Sequence, residues 1–184
     1  MRAGGSSRGR LVRTTKGRPQ GAASSLLERA ITIRIVTTTE CPILAETTGL
    51  WRWEAFFSKD GLSLDEVLLK ERDCANDLGV MPSVLVLLKQ DEPIGMVALC
   101  ENDIEGRPEL NPWLAGMYVA PGHRGAGHAR RLIGELEDYA RANGIGRLSL
   151  YTAVAVGLYL KCGWHPTEAF ERSGRTFSIM QKQL

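Results

Sequence analysis

The chain of 184 residues has no long apolar run; none of its unbroken apolar stretches exceeds Val84 to Leu88. A membrane-spanning helix needs about 18 or more such residues, so none is expected. No apolar segment follows the basic N-terminus in the manner of a secretory leader. Cysteine is scarce. Cys41, Cys74, Cys100 and Cys162 are far apart and form no C-x-x-C pair. Neither a zinc site nor a disulfide framework is expected, and reduced, buried thiols in a cytoplasmic protein are the simpler reading. Histidine is scarce too: His123, His128 and His165 form no metal-ligand spacing, and no metal is implied.

Charge is unevenly placed. Residues 1–30 carry seven basic side chains against Glu28 alone, whereas the rest carries 16 basic and 20 acidic groups. Residues 1–24 read as a disordered basic arm, because Gly, Ser and Arg offer too little apolar surface to offset the entropy of ordering. No aromatic residue interleaves these charges to stack on bases, so nucleic acid is not the expected partner. Residues 25–184 read as one domain.

Periodicity orders that domain. Ile31, Ile33 and Ile35 alternate as a first strand. Thr39 is placed to cap a helix carrying Leu44, Leu50, Trp51, Trp53 and Phe57. Ser63 and Glu66 form a capping-box pair for a second helix running to about Asp77, with Leu64, Val67, Leu68 and Ala75 as its apolar face. Ser83–Leu88 and Ile94–Cys100 read as strands joined by a polar turn, and Trp113–Ala120 as a central strand stopped by Pro121. Ala129, Leu132, Ile133, Leu136 and Ala140 share one helical face, closed by Asn143-Gly144. Leu148–Thr152, a short helix around Ala155–Lys161, and a hairpin with arms at Phe170–Glu171 and Thr176–Met180 complete the order. This mixture implies an α/β or α+β layer, antiparallel at first, with a parallel pair across the long helix.

The chemistry concentrates where the central strand meets that helix. Arg124-Gly125-Ala126-Gly127-His128-Ala129 opens a helix directly after a strand. Free helix N–H groups and the positive dipole end make an anion site, and glycines let the backbone approach the ligand. The segment lacks the Gly-Lys-Ser/Thr of a Walker loop. It has Arg130 where the dinucleotide fingerprint needs a small residue. It fits R-x-x-G-x-A.

Val119-x-Pro121-x-x-Arg124-Gly125-x-Gly127-x-Ala129 resembles the coenzyme A loop of the GNAT superfamily of N-acetyltransferases. Leu158-Tyr159-Leu160-Lys161-Cys162-Gly163-Trp164 is similar to that family's second signature, and the resemblance covers residues 31–184. It implies a GNAT fold: a central mixed, twisted sheet of about six or seven strands, flanked by about four helices, with the fourth and fifth strands splayed. It implies acetyl-CoA or coenzyme A as cofactor, with the pyrophosphate on Arg124, Gly125, Ala126, Gly127, His128, Ala129 and Arg130. The splayed strand at Met117, Tyr118 and Val119 would meet the pantetheine. Thr152 stands where family members often carry a cofactor-binding Asn. Tyr159 would protonate the leaving thiolate, and a strand amide would stabilise the oxyanion. Leu110 to Leu114 and Leu150 to Thr152 resemble a bacterial subset without a generally assigned substrate.

The implied activity is transfer of an acetyl group to a primary amine, on a small molecule or a peptide, by direct attack in a ternary complex. A proton acceptor is also required. Glu54 is the first candidate, ahead of Glu101 and Asp103; His123, His128 and His165 are not expected in the role. Trp51, Trp53, Phe56 and Trp113 are candidate walls of an acceptor cleft. Two alternatives stay open: a non-catalytic acyl-CoA-binding regulatory module, and an RNA-associated acetyltransferase using the basic arm. No membrane partner is expected, and homodimerisation is left open.

Overall fold

The computed structural model describes residues 32–59 and 61–184. The expected arm at residues 1–24, and Ile31 of the expected first strand, lie outside the described residues. Seven strands form one sheet: β1 (Ile33–Thr37), β2 (Ser83–Lys89), β3 (Glu92–Cys100), β4 (Trp113–Val119), β5 (Arg147–Thr152), β6 (His165–Arg172) and β7 (Arg175–Gln183). Four α-helices accompany them: α1 (Leu44–Arg52), α2 (Leu64–Asn76), α3 (His128–Ala142) and α4 (Val156–Leu160). The sheet order is β1-β2-β3-β4-β5-β7-β6. Among the described residues only β4 and β5 pair in parallel.

Side-chain alternation assigns the two faces. Leu85, Leu87, Val97, Leu99, Leu114, Leu148 and Leu150 belong to one core with Leu132, Ile133 and Leu136 of α3. Each of those three helical side chains is essentially fully buried, a contribution of about 1.5–3 kcal/mol apiece. Val84, Val86, Leu88, Met96 and Ala98 form a second core with Leu44 of α1 and Cys74 of α2. The sheet is therefore sandwiched between α3 and the α1–α2 pair.

Several local expectations need correction. Thr39 does not cap α1: the helix follows Ile43, whose backbone is already helical and which provides no side-chain cap. The aromatic helix does not run straight to Phe57 but ends in one π-helical turn, Trp53–Phe57. The Ser63–Glu66 capping box is present at α2, but the buried face of that helix includes Glu71 as well as Val67, Cys74 and Ala75. The β2–β3 turn is tighter than its polar stretch implies, with Gln90 and Asp91 both at positive φ. The terminal hairpin is much longer than expected, because β6 is almost wholly exposed and shows no apolar alternation to read.

Candidate active site

β4 and β5 part almost as soon as they meet. Their ladder holds one register pair, Trp113 with Ser149, reinforced by the Ser149 N–H donating to the Pro112 carbonyl at 3.0 Å. Beyond it, the β5-facing edge of β4 has no ladder partner. Gly116, Met117 and Tyr118 become partly exposed there. On its other edge β4 carries a register shift against Met96–Ala98 of β3, with Gly116 at φ +57°. This bulge bends the strand away from β5.

After β4, Pro121–His123 makes a single 3₁₀ turn. Gly125 adopts φ +81°, and Gly127 adopts φ +81°, ψ +2° as N-cap of α3. A side chain at either position would be strained. No side chain caps α3, and its first turn holds no acid. The first amides, at His128, Ala129 and Arg130, are thus left for an external anion. A cleft of about 500 Å³ opens here, walled by Val119, Arg124, Gly125, Gly127, Ala129 and Arg130 on one side and by Gly157, Leu158 and Lys161 on the other. Cationic side chains therefore flank the uncapped amides, as a pyrophosphate requires. Burial, then neighbouring His123, Lys89 and Arg131, hold the His128 imidazole below its ordinary pKa. It is neutral at pH 7 and can donate to an anion without adding charge.

Individual side chains are held in different ways. Arg124 folds back: its Nε donates to the Val119 carbonyl at 2.8 Å, and its guanidinium lies 5.9 Å from the Tyr118 ring centre. Tyr118 also stacks with Trp51, ring centres 5.0 Å apart. Thr152 Oγ1 accepts from the amides of Val154 (3.3 Å) and Ala155 (3.0 Å). It shapes the turn into α4 and is not among the residues lining the cleft.

Tyr159 sits within α4, next to the cleft-lining Leu158, and is 5% exposed. Its ring meets Trp164 edge-on at 6.0 Å. Burial, with a smaller effect from Cys162, pushes the phenol pKa well up, so the hydroxyl keeps its proton. Trp164 is itself fixed: its Nε1 donates to Glu137 of α3 at 2.8 Å, and Lys182 reaches the same carboxylate at 2.6 Å. That buried contact locks α3 to the Gly163-Trp164 turn and to β7.

Glu54 is exposed on the π turn and is not among the cleft-lining residues. Trp53 packs inward enough for its Nε1 to donate to the Leu62 carbonyl at 2.9 Å. Trp113 is fully buried and so is a core residue, not a free wall. The sequence reading missed the far wall at Gly157 and Lys161. It also missed a buried ion pair between Arg52 and Glu71. No helix among the described residues is long and apolar enough to cross a membrane.

Comparison with known proteins agrees with this geometry. No curated protein matches the chain. Among solved structures, the acetyltransferase of GNAT family from Streptococcus pneumoniae is 18% identical, with TM-score 0.65 over 83% of this chain and 100% of that one. An N-acetyltransferase from Staphylococcus aureus Mu50 is 12% identical, with TM-score 0.64 over 83% and 98%. An aminoglycoside 6'-N-acetyltransferase complexed with coenzyme A is 14% identical, with TM-score 0.64 over 83% and 97%. At such identities these likenesses establish the fold. The family model of the Acetyltransferase (GNAT) family matches residues 46–164, from α1 through the glycine-rich loop to Trp164, and the chain belongs to that family.

Proposed function

We propose that the protein transfers the acetyl group of acetyl-CoA to a primary amine, on a small molecule or a peptide, by direct attack within a ternary complex. The observation that carries this reading is the uncapped start of α3 at left-handed Gly127, opening onto a cleft beside the splayed β4 edge. The amides from Arg124 to Arg130 would hold the pyrophosphate, with Arg130 and Lys161 adding positive charge. The free edge of β4 at Met117 and Val119 would align the pantetheine, and an amide of that strand would face the acyl oxygen. Acetyl-CoA supplies an activated thioester. Tyr159, kept protonated by burial, would give its proton to the departing sulfur.

Direct transfer is favoured over an acyl-cysteine route by the state of the thiols. Burial, the leading cause in each case, pushes Cys74 up to about 11 and Cys100 up to about 12, and it also raises Cys162. None of these three is a thiolate at neutral pH, and the thiolate is the nucleophilic form. Glu54, the base suggested by sequence order, has little support from its exposed position.

Thiol release from acetyl-CoA, followed over a panel of amines with both substrates varied, tests the reading. Intersecting initial-rate patterns are expected. Parallel patterns, or an acetylated protein recovered after incubation without amine, would show a covalent route instead.

A further inference from the structure

The two edges of the sheet are finished differently. At one edge the Ile33 carbonyl of β1 accepts from Arg131 of α3 at 3.2 Å. At the other stands β6, eight residues long and paired with β7 alone. All of its residues except Phe170 are exposed. Among the described residues nothing bonds to its outer backbone groups. An open edge of this length is a template for a further strand.

The hairpin turn fixes which groups point outward. Ser173 and Gly174 both have positive φ, and Arg172 faces Arg175 across them, as in a two-residue turn of type I′. The pair that flanks such a turn exchanges both backbone hydrogen bonds, and the pattern then alternates along the ladder. Phe170 faces Phe177 and Glu168 faces Ile179. Arg172, Phe170 and Glu168 therefore use their N–H and C=O groups on β7, whereas Glu171 and Ala169 turn theirs to the free edge. Pro166 has no N–H and closes that edge at its far end.

Opposite charges flank Phe170 along the strand. Glu168 lies two residues before it and Arg172 two residues after, so all three share one face. Phe170 stacks on Phe177 at 5.4 Å and meets Tyr151 at 5.6 Å. Glu168 is bound by Arg107, which also holds Glu109. Arg172 has no ion pair among the described residues; its guanidinium donates to the Tyr151 hydroxyl at 3.4 Å. One end of the edge thus offers a carboxylate and the other an unpaired cation.

We propose that β6 pairs antiparallel with β6 of a second copy of this chain, about a two-fold axis at Phe170, so that two sheets become one. The proposal is independent of the acetyl-transfer reading. In this register Ala169 exchanges hydrogen bonds with Glu171 of the second copy, as the outward groups require. Glu168 falls opposite Arg172 of the second copy, and by symmetry Arg172 falls opposite its Glu168. Both are close pairs without hydrogen bonds between them, Cα atoms about 4.5 Å apart. Each Glu168 then joins Arg107 and an arginine of the second copy in a network, which is worth more than a lone surface pair. Other registers fail. Centring on Glu171 sets like charges directly opposite each other. Centring on Ala169 faces Phe170 with Glu168 and turns Arg172 towards Pro166. Centring between residues sets outward groups against groups that β7 already uses. Charges on an edge strand usually keep copies apart; those of β6 match themselves in this one register. The strand pair is small for an interface, so a reversible dimer in the micromolar range is expected.

Sedimentation velocity of the full chain, from micromolar to submillimolar concentration, tests the proposal. Wild type should pass from monomer to dimer, and added salt should weaken the association. Glu168→Arg and Arg172→Glu, each alone, set two like-charge pairs across the axis and should weaken the dimer roughly 10-fold or more. An equal mixture of the two variants should recover a mixed dimer, because every facing pair is again of opposite charge. The double variant should recover a dimer for the same reason. Glu168→Arg also loses the Arg107 contact within its own chain, but so do the mixture and the double variant, so their recovery isolates the contact between copies. Arg172→Glu breaks no ion pair within its own chain and reads the contact even if Glu168→Arg does not fold, which circular dichroism checks. A wild type that stays monomeric throughout overturns the proposal. So does a dimer that both single variants leave intact, which would put the contact on another surface. Weakening by the single variants without recovery in the mixture and the double variant overturns it as well.

Discussion

Replacing Gly127 by glutamate would test the anion site at its centre. No atom lies within 4 Å of a Cβ built on Gly127, so the fold has room for a side chain. The backbone does not favour one: φ is +81°, and a non-glycine residue there costs about 1–2 kcal/mol. For a chain of this length that is a fall of about 2–8 °C in Tm. The effect on coenzyme A should be larger. A carboxylate about 4 Å from a phosphate, at an effective dielectric near 20, is opposed by about 4 kcal/mol, or roughly 10³-fold in Kd. Gly127→Gln carries the same strain and nearly the same bulk without the charge, so the ratio of the two variants isolates electrostatics. Calorimetric titration with coenzyme A reads the ratio. The stabilisation by ligand should give the same ordering, because a ligand at about 100 times its Kd adds about 2.7 kcal/mol, nearly all of which the Glu variant would forfeit. Added salt should narrow the gap between Glu and Gln. A folded Gly127→Glu protein that binds coenzyme A as wild type does would remove the anion from the start of α3. Equal losses in Glu and Gln would show that bulk, not charge, governs the site.

Three further outcomes are expected. Tyr159→Phe should lower kcat and kcat/KM together by roughly 10²-fold with the coenzyme A Kd unchanged; equal activity, measured where chemistry limits turnover, would make Tyr159 only a packing residue. Glu137→Ala strips partners from both Trp164 Nε1 and Lys182, and since Lys182 is about a fifth exposed the expected cost is about 2–3 kcal/mol, read as a denaturation midpoint; a change within error would mean that water replaces the carboxylate. Gly95→Ala would put a Cβ 2.9 Å from the Tyr118 carbonyl oxygen and 3.2 Å from Leu132, forcing β3 and β4 apart at a cost of about 1–3 kcal/mol, again checked by denaturation.

What was legible in the sequence follows from how local each signal is. The α3 face repeats every three or four residues, and the glycine loop adjoins it, so both could be read from a short window. The Ser63–Glu66 box is equally local. The β4 bulge has no such signature: Gly116 within a strand allows a bulge, but the register shift is set by β3 across the ladder. Glu71 looks like one more surface charge, although it falls four residues after Val67 and four before Ala75, on the buried stripe. That position was the available clue. Asp103 lies in a polar loop, and the groups that act on it, Arg52 and Arg172, are distant in sequence on either side. Only the folded sheet brings them together. Thr152 has a local role that its place relative to Tyr159 does not announce: its Oγ1 accepts from two amides of the next turn of its own chain.

β4 is the element on which the proposed reaction depends. Its C-terminal end feeds the loop that opens α3, its bulge lies beneath Arg52, and its free edge runs between these points. The single register pair with β5 explains how one strand can serve all three. A longer parallel ladder would close the edge on which the pantetheine is proposed to align. With no ladder at all, β5 would join the first four strands only through the core it shares with α3, and the segment after it carries Tyr159. The seam is therefore pinned at its closed end, where Trp113 is wholly buried and meets Tyr151 edge-on at 6.1 Å. Tyr151 in turn packs on Phe170 and Phe177 of the β6–β7 hairpin at 5.6 Å each. Those aromatics tie β5 to the closed end of the seam from the side of the β6–β7 hairpin, so the two strands are held together at Trp113 while their edges stay apart beyond it.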